Sequence, residues 1–330
     1  MKRVAPLIVL GALTVATPAS LGTRGDSSSA PRAAEAAPAE PALAPAPAPA
    51  SGLVREAKQG QLFVYVPQDC FAEREVDLVV HFHGAPPVMG HALGEARLNA
   101  ALAVENLGTI SQDYGSAYTV VARLDDLVRR AMGLVARACP GQEYHPRRLA
   151  LSAWSAGYAA VGAILSHPEL AARVDAVLLS DGLHGAFLES GWRQLPLNAL
   201  APFVDFARRA VSGTRLMAIT HTAIHTDGYA STTETTSFLL DRLGLERVVF
   251  VPAESRFGMD LESEAIRGNF TVEGYAGGDE AAHARQLHSM GRTLFAPLRR
   301  RWEATAAAVP SQPAPASSAA GPAPATPTSP

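Results

Sequence analysis

The sequence predicts a layered α/β domain, with a mostly parallel sheet and helices on both of its faces. Three observations lead there. The stretches Val174-Asp175-Ala176-Val177-Leu178-Leu179 and Arg215-Leu216-Met217-Ala218-Ile219-Thr220 are near-continuous apolar runs, the pattern of strands covered on both sides. Such runs alternate along the chain with helical patterns, as βα units do. Nearly all the aromatic and long apolar residues fall within 53–302, and no Pro/Gly/Ser-rich linker divides that stretch. One domain with a sizeable core fits this length.

The elements follow in chain order. Residues 62–66 are β-rich and end at Pro67, and residues 76–82 form a second strand that ends at His83-Gly84-Ala85-Pro86-Pro87, a loop by composition. Residues 101–106 read as a third strand ended by Gly108. Leu124, Leu127, Val128 and Met132 recur at three- and four-residue spacings, which predicts a helix over 118–139, stopped by Pro140-Gly141. A short strand over 148–153 leads through Trp154-Ser155-Ala156-Gly157 into a helix over 158–165. After the strands at 174–179 and 215–220 come a helix over 233–243 closed by Gly244, strands at 248–251 and 270–275, and a final helix over 281–301.

The ends differ from the middle. Lys2 and Arg3, an apolar stretch over 4–15 and small residues near Ala19 and Ser20 give the order of a signal peptide, placed at 1–22. Residues 23–52 are an Ala/Pro-rich linker, and 303–330 form a tail of similar character. These features predict an exported chain, periplasmic or secreted, with cell-envelope association through an uncleaved signal as the alternative. The apolar run is short for a membrane span. Cys70 and Cys139 are the only cysteines, and export would allow one disulfide between them. A net charge of −3 offers no basic excess for nucleic acid.

The chemistry centres on Ala153-Trp154-Ser155-Ala156-Gly157. A nucleophile elbow is a strand, a strained turn and a helix, with serine at the apex in the pattern Gly-x-Ser-x-Gly. Gly157 keeps the second small position, and Ala153 stands at the first. The turn exposes the serine above the sheet and leaves the Ala156 amide as an oxyanion donor. A serine before a helix also serves as an ordinary cap, so the motif does not stand alone. Ser152, inside the strand, reads as structural.

His81-Phe82-His83-Gly84-Ala85 follows a strong strand well upstream of Ser155. Gly84 and Ala85 are the candidates for the second oxyanion amide, and His83 for ordering the loop through its ring. A metal site on His81 and His83, with His221, is the rival reading; the two sit at i,i+2 on a strand. The acid is Asp181, at the end of a parallel strand where functional groups gather, with Asp227 as alternative. Asp227-Gly228 also reads as a turn. The base is His283, in a loop-to-helix transition, in preference to His288 farther along that helix. His221 and His225 could equally line the site edge or serve the structure.

Together these segments resemble the α/β-hydrolase superfamily of serine esterases and lipases over residues 61–302. The resemblance implies a three-layer α/β-hydrolase fold and the chain order Ser155, Asp181, His283 as nucleophile, acid and base. It also implies that the acid more often follows the next strand, which would select Asp227. The implied function is cleavage of a carboxylic ester, or of an amide or thioester, through an acyl-enzyme on Ser155, acting on a small-molecule ester or acyl substrate with no cofactor or metal. Serine peptidase activity on the same fold and a non-catalytic binding module of the cell envelope are the alternatives. Residues 184–210, with Phe187, Leu188, Trp192, Leu195, Leu197, Phe203 and Phe206, are a candidate small cap; core packing is the other reading of those side chains.

Overall fold

The computed structural model describes residues 54–189 and 192–307. The expected signal segment, the linker and most of the tail lie outside the described residues. Among the described residues, ten strands and nine α-helices follow in the order β1 (Val54–Gln59), β2 (Leu62–Pro67), β3 (Glu75–Phe82), α1 (Pro86–Ala96), β4 (Ala101–Glu105), α2 (Ser111–Ala117), α3 (Ala122–Ala138), β5 (His145–Trp154), α4 (Tyr158–Leu165), α5 (Pro168–Arg173) and β6 (Val174–Ser180). The order continues with α6 (Ala201–Val211), β7 (Leu216–His221), α7 (Thr232–Leu243), β8 (Val248–Arg256), β9 (Met259–Arg267), β10 (Phe270–Tyr275), α8 (Glu280–His288) and α9 (Ala296–Ala307).

All the described strands join one sheet in the order β1-β2-β4-β3-β5-β6-β7-β10-β9-β8. The centre is parallel from β4 through β3, β5, β6 and β7 to β10. Both flanks are antiparallel: β1 and β2 on one side, β9 and β8 on the other. The expectation of a mostly parallel sheet therefore holds for the centre and fails at the edges. The physical reason is connection length. Tight turns at Gly60, Gly258 and Gly268, all at positive φ, join β1 to β2, β8 to β9 and β9 to β10, and tight turns can only join antiparallel neighbours.

The central strands are apolar on both sides because both sides are covered. Along β3, Leu78, Val80 and Phe82 enter one cluster, with residues of α3, α4 and α6. Val79 enters the other, with Met89 and Leu93 of α1, Leu287 of α8, and Leu298 and Trp302 of α9. This alternation gives three layers, a mixed sheet with helices packed on both faces. Phe203 and Phe206 of α6 are core residues. The described part of 184–200 holds no helix, and Trp192 and Leu197 stand 94% and 82% exposed. The apolar residues of the expected cap thus divide between a packed helix and an open loop.

Two helical expectations change. The loop after β3 passes directly into α1, because Pro86 and Pro87 occupy its first positions, where the missing amide costs nothing. The last helix is broken: α8 ends at His288, and a π-helical turn over Gly291–Phe295 precedes α9. Cys70 and Cys139 form a disulfide that ties the end of β2 to the end of α3.

Candidate active site

Three of the parallel strands end in the same way. The first residue after β3 is His83, after β5 Ser155 and after β6 Asp181, and all three are left-handed, with φ of 66°, 48° and 41°. Side chains other than glycine rarely occupy that region, at a cost of about 1–3 kcal/mol each, and such residues cluster at functional sites. The parallel register puts these ends side by side: Phe82 pairs with Ala153, and Trp154 with Ser180.

The segment around Ser155 has the strand, turn and helix order of an elbow. After Trp154 the chain makes a short 3-10 turn over Ser155–Gly157 and enters α4. A Cβ on Gly157 would sit 2.1 Å from the carbonyl oxygen of Phe82. The small residue is therefore required against the neighbouring strand end, not only against β5. A second glycine does the same from the other side. A Cβ on Gly182 would lie 2.2 Å from the Ser155 carbonyl oxygen. Sequence reasoning missed Gly182, although it directly follows the candidate acid.

Asp181 is 4% exposed and fully engaged. Its Oδ2 accepts from His283 Nδ1 at 2.6 Å and from Thr222 Oγ1 at 2.8 Å, and its Oδ1 accepts from the Thr222 amide at 2.9 Å. Burial pushes the carboxyl up, but the His283 and Thr222 bonds outweigh it and hold Asp181 below the ordinary aspartate range. The contact fixes the His283 tautomer: Nδ1 carries a proton toward the carboxylate, and Nε2 remains for proton transfer. Asp227 lies elsewhere. Its side chain is fully exposed, 3.7 Å from His225 Nε2.

Ser155, Asp181 and His283 line one pocket of about 470 Å³. His184, Ile224, Tyr229, Asp279 and Glu280 complete much of its wall. His184 packs edge-on against Tyr158 and Tyr229 and shares a hydrogen bond with the Ala230 carbonyl; its burial lowers its affinity for a proton. Neither His184 nor Tyr229 was singled out from sequence. Both lie in loops with no periodic signal. His288 closes α8, half-buried, and is not part of the lining. Burial, then the neighbouring His91, pushes its ring toward the neutral form.

The loop after β3 is ordered by side chains. His83 Nδ1 meets Tyr114 Oη at 2.9 Å. Asn106 clasps Gly84 from both sides: the Gly84 amide donates to Asn106 Oδ1 at 3.0 Å, and Asn106 Nδ2 donates to the Gly84 carbonyl at 2.9 Å. This corrects the reading of Gly84 as an oxyanion donor, because its N–H is already spent on Asn106. Ala85 takes no part in that exchange and caps α1. Gly84, Ala85 and Ala156 lie outside the pocket lining.

His81 and His221 are structural in their contacts. His81 is wholly buried, with its ring between Ser152 Oγ at 2.9 Å and the His83 carbonyl at 2.8 Å. Burial pushes its pKa down to about 3. Both ring nitrogens are thus occupied, and β3 ends at Phe82, so strand alternation does not carry His83 to the same face. His221 is bonded to the Thr222 carbonyl and Thr233 Oγ1 at Nδ1, and to Arg247 at Nε2. Burial pushes it to about 4. The rival metal trio is therefore not assembled from these residues.

No protein-family model matches the sequence, and no curated protein matches it significantly. Among solved structures, the chain is similar to a feruloyl esterase module from Clostridium thermocellum at 8% identity, covering 75% of this chain and 89% of that one, with a TM-score of 0.42. It is similar to a truncated carbohydrate esterase from gut microbiota at 11% identity, covering 79% and 100%, with a TM-score of 0.41. For prolyl oligopeptidase B from Galerina marginata the identity is 12%, the coverage 73% and 34%, and the TM-score 0.37.

Proposed function

We propose that the protein is a serine hydrolase that cleaves a carboxylic ester through an acyl-enzyme on Ser155. The observation that carries this reading is the shared pocket: a left-handed serine on an elbow, and a histidine whose Nδ1 is held by a buried carboxylate. In the proposed cycle His283 Nε2 takes the Ser155 proton as Oγ attacks the ester carbonyl. Asp181 fixes the imidazole tautomer and stabilises the imidazolium. The Ala156 amide, at the start of the 3-10 turn where N–H groups have no partner within the turn, holds the oxyanion together with the Ala85 amide. His283 then protonates the leaving alcohol, and water, activated by the same ring, releases the acid.

Ester is favoured over amide because an alcohol leaving group asks less of the protonating acid. The disulfide between Cys70 and Cys139 supports an exported protein, in line with the signal expected over 1–22. The test is labelling by a fluorophosphonate. The wild type is expected to label, and Ser155→Ala to lose both labelling and hydrolysis across a panel of neutral esters. Equal labelling of the two proteins would remove Ser155 from its role.

A further inference from the structure

The residue before Ser155 faces away from the pocket side of the elbow and meets the base. Trp154 is the last residue of β5, and strand alternation sends it to the face where α1, α8 and α9 pack. It is 8% exposed. Its ring stacks on the His283 imidazole at 4.5 Å between centroids and 28° between planes. Its Nε1–H donates to the His283 carbonyl at 3.2 Å. A second imidazole, that of His83, stacks on the same indole at 5.2 Å and 8°.

We infer that Trp154 is a positioning residue, which holds the His283 ring in register with Asp181. This inference rests on the catalytic reading of Ser155 and His283 given above. Two geometric facts support it. The Asp181 contact restrains His283 at one atom, Nδ1, and leaves the ring able to swing about that bond. A stacked indole removes this freedom by fixing the plane, and the Nε1–H bond ties the backbone of the same residue to the elbow. The indole is itself fixed. It sits one residue from Ser155, so the nucleophile and the plane of its base are set by adjacent positions on one rigid strand end. A π face against the imidazole also favours the charged ring formed during attack.

Trp154→Phe keeps a stacking ring and loses the donor, whereas Trp154→Leu loses both. Each is measured on folded protein, with sites counted by fluorophosphonate titration. Trp154→Leu is expected to lower kcat per titrated site by about tenfold or more, the scale of imperfect proton transfer, with KM within about twofold because Trp154 is outside the pocket lining. Trp154→Phe should recover most of kcat. Proton NMR of the imidazole Nδ1–H gives a readout independent of turnover: a low-field signal in the wild type, kept in Phe and broadened or lost in Leu. Unchanged kcat per site in Trp154→Leu overturns the inference, as does equal slowing in both variants. If Ser155 proves not to be the nucleophile, the Nδ1–H signal alone decides: its survival in Trp154→Leu overturns the positioning role, and its loss in Leu with retention in Phe upholds it.

Discussion

Strands β3 and β5 carry a polar cluster at each end, and the two are built on opposite rules. At the amino end, Asp77 of β3 is 2% exposed and lies between Arg147 and Arg148 of β5. Both carboxylate oxygens receive donors from both guanidinium groups, and although the pairing with β5 shifts register at Asp77, none of the three residues is left-handed. At the carboxyl end the next residues, His83 and Ser155, are left-handed, and Ser155 faces a pocket with His283. One cluster is closed by its own partners and the other is open to a ligand. Polar groups that saturate one another leave nothing free to meet a ligand, whereas strained polar groups beside a cavity are what the proposed chemistry requires.

The largest effect that sharpens this contrast is at the open end. Asp181→Asn should lower kcat by about 10⁴-fold with little loss of stability, since the amide can present the wrong group to His283 and upset its tautomer. Asp227→Asn, at an exposed turn, should leave kcat unchanged. Steady-state kinetics on the pair decide, and the reverse ranking would return the acid to Asp227. The closed end predicts the opposite signature. Asp77→Ala leaves two guanidinium groups without their carboxylate and should cost about 3–5 kcal/mol in denaturant unfolding, with kcat per folded site unchanged. Burial raises the Asp77 carboxyl, but the Arg148 and Arg147 bonds lower it further, so it stays below its ordinary value. Its stabilisation is therefore fully present above the ordinary aspartate pKa and disappears as pH falls through the depressed value. The gap between wild type and variant should close in acid; a gap independent of pH would deny Asp77 an ionic role.

Between these lies the elbow itself. Gly182→Ala puts a Cβ 2.2 Å from the Ser155 carbonyl oxygen, so Ser155 has to move. A displacement near 1 Å costs about 10²-fold in rate. The variant should therefore lose labelling rate per folded molecule, and its thermal midpoint should fall as well, because the clash is with backbone atoms. Wild-type labelling in that variant would show that the close approach is not needed.

How much of this was legible in the sequence depended on how local each signal was. The elbow is one continuous segment with a serine, a small residue and a change of period, and it was readable. His283 was readable for a similar reason, from its place at the start of a helix after the last strand. The strands β1 and β9 were not read. Both lie near the sheet margins: β1 carries Arg55, Glu56 and Lys58 on both of its faces, and in β9, Met259, Leu261 and Ala265 alternate inward among acidic neighbours, a period-two pattern too sparse to stand out. The opening of α1 was hidden because Pro86-Pro87 is also a loop signature. The clasp between Gly84 and Asn106 joins two strand ends that only the sheet order brings together, so no local pattern announces that the Gly84 amide is occupied.

The finest distinction concerns Thr222, which sequence reasoning passed over as one residue in a run after β7. Its backbone amide binds Asp181 Oδ1, while its hydroxyl binds Oδ2, the same oxygen that meets His283. Thr222→Val preserves shape and the backbone bond and deletes only the hydroxyl donor. The carboxylate should then be freer to rotate and slightly more basic, and His283 less firmly held. A hydrogen bond to a charged group contributes about 1.5–3 kcal/mol, which bounds the loss, and the surviving amide bond should keep it near the lower end, about tenfold in kcat/KM. Thr222→Ser restores the hydroxyl and should recover most of that rate. If Val equals wild type, Asp181 is positioned by His283 and the backbone alone. If Ser is as slow as Val, the hydroxyl alone does not restore the rate, and the fit of the whole Thr222 side chain, methyl group included, is what positions Asp181.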